Sequence, residues 1–373
     1  MKIAILHEML VKIWWAEKVV KELSSIFPQA PIYTLIYDEE KIWDFFWDTK
    51  IITTKITQKV YNLFKNQRYC LPFMSKAVES IDLSDYDIVI ISSSWFAHWV
   101  ITRPETKTVV YYHSPARYLW DRTFNYIKEI KWNKWIKKII LSNFLHKLRL
   151  WDFISSNRND ILLANSKNVQ SRIKKYYKKD SQILYPPVEV DRFSKKIDKN
   201  FNKPFDEYYI IISALTEFKK IDIAIKAFNN ISDKNLVIVW DWNYKSELEK
   251  IGNKNIVFEW AKYNDELVFL LQNSLWLIFP WEEDFWIVPI EALWAWKPVF
   301  AYNAWWLSET IKHWITWEFF YNQDWSDFIE NFIKFDENIK NNKYQKDILS
   351  QEALKYSSSV FKEKIKKIVN NLI

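Results

Sequence analysis

The chain has 373 residues, 49% of them hydrophobic and 27% charged, a globular composition that excludes disordered, collagen-like and low-complexity proteins. With 53 Lys and Arg against 46 Asp and Glu, the net charge of +7 suits a polyanion (a phosphate, a nucleic acid or an anionic membrane face) without selecting one. One cysteine, Cys70, excludes a disulfide framework and a multi-cysteine zinc site, and fits a reducing cytosol.

MKIAIL runs straight into His7 and Glu8, which is not the pattern of a secretory leader. Short apolar runs then alternate with amphipathic stretches. Strands are predicted over 2–7, 30–36, 50–55, 86–94, 106–114, 159–166 and 181–188, and helices over 16–27 and 166–177. Residues 132–155 form a longer basic-apolar stretch. Pro186-Pro187 and the charged segment 194–207 mark a domain boundary. The pattern restarts with strands over 208–215, 235–240, 255–260, 274–280 and 298–303, separated by helices over 221–231, 244–251, 264–273 and 287–296. A Lys/Asn-rich tail from about 336 reads as helices, with 359–372 amphipathic. This βα alternation predicts an α/β protein with two doubly wound, Rossmann-like domains facing each other across a cleft, ligands binding at the carboxyl ends of the strands. The expected divisions are 1–190, 205–345 and a helical tail 346–373 packing back on the first domain.

One count is abnormal: 1 Gly and 23 Trp. A chain of this length ordinarily carries about 26 Gly, at some 7%. Several Trp stand where turns call for glycine. Trp14-Trp15 precede a helix, Trp240 and Trp242 follow a strand, and Trp305-Trp306 lie between a strand and a helix. The expectation is that UGA codons meaning glycine have been decoded as tryptophan, as some bacterial lineages would require. UGG at codons 14, 15, 286, 305 and 306 would end it. Trp120, Trp151 and Trp325 read as true tryptophans.

The strongest chemical segment is FPWEEDFWIVPIEALWAWKPVFAYNAWWLSET, residues 279–310. Glu283 falls in a loop after a strand and Glu291 in the first turns of the next helix. Carboxylates accept paired hydrogen bonds from vicinal hydroxyls, so the two suit a sugar ring and a ribose. The helix entered at Trp286-Ile287 points N–H groups at the cleft, a seat for a diphosphate. Taken alone, Glu282, Glu283 and Asp284 could equally be acids that favour a helix N-terminus.

With Trp read as glycine, EEDFGIVPIEALGAGKPVFAYNAGGLSET resembles the C-terminal signature of retaining GT-B glycosyltransferases of family 4. The resemblance runs through nearly the whole chain. YYHSPARYLWD, LRLWDFISSNRND, YPPVEVDRF and SALTEFKKIDIAIKAF are similar to a bacterial subgroup of GDP-mannose-dependent mannosyltransferases. It implies that Glu283 binds hydroxyls of the transferred sugar and Glu291 the ribose diol. Lys219 would neutralise the donor diphosphate, with Lys220 beside it. Many members of the family have an arginine where this chain has Ala214, which leaves Lys219 more of the leaving-group charge. Trp14-Trp15 would form a loop closing over the diphosphate; Phe285, Trp286, Ile287, Trp305 and Trp306 would complete the donor site, and His113 would lie near the reacting sugar. Read alone, a histidine ending a strand is a polar cap. The nucleotide phosphate would take the acceptor proton, with no metal and no cofactor.

Implied partners are a nucleotide sugar and a glycan or polyprenyl-linked acceptor in cell-surface polysaccharide synthesis, with no nucleic acid. The implied location is cytoplasmic, peripheral on the inner face of the plasma membrane. Residues 131–151 read either as a helix touching anionic lipid or as an ordinary packed helix with snorkelling lysines. The alternatives are a GT-B epimerase or phosphorylase, and a basic nucleic-acid-binding protein, whose aromatic excess is mostly the suspect Trp. Asp85-Tyr86-Asp87 precedes a strand and reads as a solvated turn, the five histidines lack zinc-ligand spacing, and no P-loop appears.

Overall fold

The structure is a computed structural model that describes residues 1–129, 135–189, 192–193, 195, 197, 201–240, 245–260, 262, 264–283, 287–303, 316–341 and 344–372. The chain divides into two units, Met1–Pro187 with Phe361–Ile373, and Val188–Val360.

The first unit carries a parallel sheet of β1 (Ile3–Leu10), β2 (Ile32–Tyr37), β3 (Ile51–Thr53), β4 (Ile88–Ser93), β5 (Lys107–Tyr112), β6 (Ile161–Ala164) and β7 (Gln182–Ile183). Their order is β3-β2-β1-β4-β5-β6-β7. Successive residues of one strand point to opposite faces and both faces are covered, which is why the central strands read as unbroken apolar runs. Ala4, Leu6, Val89, Ile91 and Val110 enter one core; Ile5, Ile88, Ile90 and Val109 enter the other. The helices are α1 (Trp15–Ile26), α2 (Glu39–Phe46), α3 (Lys55–Phe64), α4 (Met74–Glu79), α5 (Thr123–Glu129), α6 (Trp135–Ser156) and α7 (Lys167–Tyr177). Inside α6, the fully buried Asp152 accepts hydrogen bonds from the indoles of Trp99 and Trp120 and from the Tyr177 hydroxyl.

The second unit repeats the plan with β8 (Tyr209–Ile212), β9 (Leu236–Trp240), β10 (Ile256–Trp260), β11 (Leu277–Phe279), β12 (Val299–Tyr302) and β13 (Trp317–Phe320), in the order β10-β9-β8-β11-β12-β13. Its helices are α8 (Ile221–Asn230), α9 (Lys245–Glu249), α10 (Asn264–Asn273), α11 (Ile287–Trp294), α12 (Trp325–Lys340) and α13 (Lys346–Leu354). The last helix, α14 (Ser358–Asn370), leaves this unit and sends Phe361, Ile365 and Val369 into the core of the first. Strand order reverses between β1 and β4 in one sheet and between β8 and β11 in the other, and such switch points open the crevices where α/β proteins bind ligands.

Helix α11 ends at Trp294, two residues short of the expected 296. The Trp296 N–H donates to the Leu293 carbonyl at 3.1 Å and the Lys297 N–H to the Ala292 carbonyl at 2.8 Å, the paired closure of a Schellman motif. Trp296 therefore takes φ 59°, the left-handed position that glycine occupies freely and that costs an L-residue roughly 1–2 kcal/mol. Replacing Trp296→Gly is expected to raise stability by about 1 kcal/mol, after loss of the Lys346 ammonium stacked 5.6 Å from the indole centroid. Thermal denaturation of the two proteins checks this; an unchanged or lower midpoint would refute it.

Candidate functional site

In the second unit the chain leaves β8 at Ile212 and makes a 3-10 turn over Glu217–Lys219. From the neighbouring β11 it leaves at Phe279 and passes through Pro280 to Glu283. These two exits flank the switch point and bring together side chains 64 residues apart. Lys219 Nζ lies 2.8 Å from Glu283 Oε2, and the Trp281 indole N–H donates to the same oxygen at 2.9 Å. The ammonium also sits 4.5 Å from the Trp281 ring centroid. Lys219 is only 7% exposed, whereas the Glu283 side chain keeps 39% of its surface. A cation so placed has one face on a carboxylate and the other on an aromatic ring.

Glu291 lies one turn into α11 and is buried, as is Ile287 at the helix start. Lys220 adopts φ 50° as it enters α8 and lines a small pocket of about 190 Å³ with Asp222, Lys226 and Asp324, apart from the Lys219–Glu283 pair. Phe285, Trp286, Trp305 and Trp306 lie outside the described residues.

The first unit holds a second cluster. His113 follows β5, and its Nε2 lies 2.9 Å from Ser92 Oγ at the end of β4. The same hydroxyl lies 3.1 Å from Nδ1 of the buried His7 on β1. His7 Nε2 is 3.6 Å from Glu17 Oε1, and Glu17 Oε2 accepts the Trp14 N–H at 2.8 Å. Trp14 and His113, both singled out from the sequence, are thus joined through three residues that were not. Glu8, also buried, accepts from Ser93 Oγ and from the Ser94 and Trp95 N–H groups at 3.1, 2.6 and 2.7 Å. Trp14 and Trp15 themselves are exposed at the start of α1, with Trp14 at φ −123°. This backbone is extended, so its dihedral angles do not call for glycine at 14, and the neighbouring residue begins the helix.

Burial disfavours charge on His7, but the Glu17 hydrogen bond and the nearby Glu8 outweigh it and hold its pKa above the ordinary imidazole value. For His113, burial and then the charge of His7 push the pKa down to about 3. These distances fit a His7 Nδ1–H that donates to Ser92, and a Ser92 Oγ that donates to Nε2 of a neutral His113, whose proton then sits on Nδ1. Because the unfolded imidazole binds a proton near 6.5 and the folded one near 3, the stability His113 confers is complete above 6.5 and is lost as pH falls toward 3. In His7→Gln the positive neighbour is gone, so the His113 pKa is expected to rise while burial keeps it below 6.5. Imidazole NMR titration reads this directly; an unmoved His113 would show that His7 exerts no field on it.

The residues missed by sequence reasoning were His7, Glu8, Glu17, Ser92 and Trp281. The only signal for the first four was a polar residue interrupting an apolar strand, or an acid opening a helix.

Residues 37–192 match the domain described as Glycosyltransferase Family 4, and residues 192–350 the domain described as Glycosyl transferases group 1. The alpha-1,3/1,6-mannosyltransferase ALG2 of Candida glabrata is 23% identical over 301 residues, 68% of this chain and 62% of that protein, so the chain spans less than two thirds of this relative. Among solved structures, Anabaena Alr3699/HepE in complex with UDP superimposes with a TM-score of 0.71 at 11% identity over 100% of both chains. Sucrose-phosphate synthase of Thermosynechococcus elongatus does so with 0.73 at 12% identity over 99% of both. Two transferase domains matched in succession, on an α/β architecture with two parallel sheets shared with those proteins, identify the chain as a GT-B glycosyltransferase with a family 4 domain followed by a group 1 domain.

Proposed function

We propose that this glycosyltransferase moves mannose from GDP-mannose, with retention of anomeric configuration, to a glycan or polyprenyl-linked acceptor in cell-surface polysaccharide synthesis. The observation that carries the reading is the Lys219–Glu283 pair at the switch point of the second sheet. Lys219 neutralises the donor diphosphate, Glu283 accepts hydrogen bonds from sugar hydroxyls, Glu291 holds the ribose diol, and neutral His113 contacts the transferred sugar. As the bond from the sugar C1 to phosphate breaks, negative charge gathers on the departing diphosphate, where a fixed ammonium stabilises it most. The acceptor oxygen bonds to C1 on the same face and gives its proton to the departing phosphate oxygen. This chemistry calls for no metal or cofactor, because Lys219 supplies the cation.

The name of the Candida glabrata relative supports mannose, and the Anabaena structure with UDP makes uridine nucleotides the competing donors. Cytoplasmic placement with peripheral contact at the inner membrane face accords with a lipid-linked acceptor; no described helix is long and apolar enough to cross a membrane. The test is a panel of nucleotide sugars in a chelator, read by thermal stabilisation and transfer, with the product's anomeric configuration assigned by NMR. GDP-mannose is expected to stabilise most and to give a product of retained configuration. Stabilisation by nucleic acid and by no nucleotide sugar would overturn the reading.

The same reading takes the suspect Trp, Trp296 among them, as glycines, and extends this to Trp281. Its support is the left-handed backbone at Trp296 and the indole of Trp281 packed beside the Lys219–Glu283 pair, bonded to one and covering the other. UGG codons at 281 and 296 would refute it.

A further inference from the structure

Residues 49–78 contain Lys50, Lys55, Lys59, Lys65, Arg68 and Lys76 and not one Asp or Glu. Helix α3, at the centre of this segment, leaves part of its apolar surface in solvent. It faces the protein with Thr57 and Tyr61, whose hydroxyls donate to the Leu35 carbonyl and to Asp38, both at 2.6 Å. Val60 packs against the core beside Tyr61, but the other three apolar residues face out: Leu63 is 74% exposed, and Ile56 and Phe64 are exposed too. The 3-10 turn over Gln67–Phe73 packs beside the helix and adds exposed Tyr69 and Phe73, the Tyr69 ring 4.8 Å from that of Phe64. Most of the nearby acids that form ion pairs find their cations outside the segment. Asp38 pairs with Lys41, Asp48 with Lys21 and Glu79 with Arg158, while Glu40 reaches Lys65 at 3.9 Å. The segment contains none of the 23 Trp, so the surface is the same whichever way those codons are read.

We propose that α3 and the turn after it dock on an anionic lipid bilayer. A helix whose polar side is anchored inward and whose outer side mixes Leu, Ile and Phe with Lys matches the boundary between headgroups and acyl chains, the lysines meeting lipid phosphates. A nucleic acid would answer the cations but leave Ile56 and Leu63 in water. As the partner of the enzyme, the bilayer rests on the membrane-linked acceptor proposed above; the docking itself does not require sugar transfer. This surface is distinct from 131–151, where α6 exposes Ile139, Phe144 and Leu150.

The test is flotation of the purified chain with vesicles of phosphatidylcholine alone and of phosphatidylcholine mixed with phosphatidylglycerol. Binding is expected only with the anionic vesicles. It should fall at least about tenfold in Leu63→Ser/Phe64→Ser and in Lys55→Glu/Lys59→Glu, and stay unchanged in Phe153→Ser/Ile154→Ser on α6. Thermal melts show that each variant is folded. Absence of wild-type flotation, equal binding to neutral vesicles, retention in the α3 variants, or displacement of vesicles by a single-stranded DNA oligonucleotide would each overturn the proposal. Nucleotide-sugar stabilisation, measured on the same proteins without vesicles, is expected to be equal in all of them. Its absence throughout, with flotation as expected, would sink the sugar-transfer reading and leave the docking standing.

Discussion

Lys219→Ala is expected to lower turnover roughly 100- to 1,000-fold, the usual loss when one preorganised group facing transition-state charge is removed. The fold should survive, because the carboxylate left behind on Glu283 keeps 39% of its side chain in solvent and can rehydrate. Lys219→Arg keeps the charge but not its position beside the Trp281 ring, and should recover part of the rate. Steady-state transfer assays with a thermal melt of each variant decide the matter. Near-parental turnover in Lys219→Ala would remove the lysine from the mechanism.

Trp281→Gly separates two accounts of one residue. A genuine core tryptophan, here 1% exposed and packed 3.9 Å from the Phe279 ring centroid, should cost about 3–5 kcal/mol when deleted. If glycine belongs at 281, the deletion instead frees both Glu283 Oε2, now held by the indole N–H, and the face of Lys219 now covered by the ring. The expected result is the second: a folded protein whose nucleotide-sugar affinity rises at least tenfold, or about 1.4 kcal/mol. Calorimetric titration of parent and variant measures it. A collapsed melting temperature with no gain in binding would restore Trp281 to the core.

The strands of both sheets were legible because each buries both faces and so writes an apolar run bounded by turn residues. Strand β13 was not, since its WEFF run carries Glu318, buried and receiving the Tyr344 hydroxyl at 2.7 Å. Helix α3 escaped for a related reason: Ile56, Leu63 and Phe64 point outward and only Val60 and Tyr61 face the core, so periodicity toward a core says little about it. Lys219 and Glu283 were each legible as types of residue after a strand. Their contact was not, because it depends on β8 and β11 lying side by side across a crossover that local pattern does not encode. The chain from Trp14 through Glu17, His7 and Ser92 to His113 was hidden for the same reason, each member reading alone as a cap or a strand-end polar residue.

The closing helix has a consequence for how the molecule comes into being. Phe361, Ile365 and Val369 complete a hydrophobic core begun by Ile5 and Val20, so the first unit lacks a wall during synthesis until residue 369 has been made. The second unit, whose boundaries fall at Val188 and Val360, has all its parts sooner. Assembly order in the cell should therefore run against the order of synthesis, with the early-made half held open as a client for chaperones while the later-made half settles first.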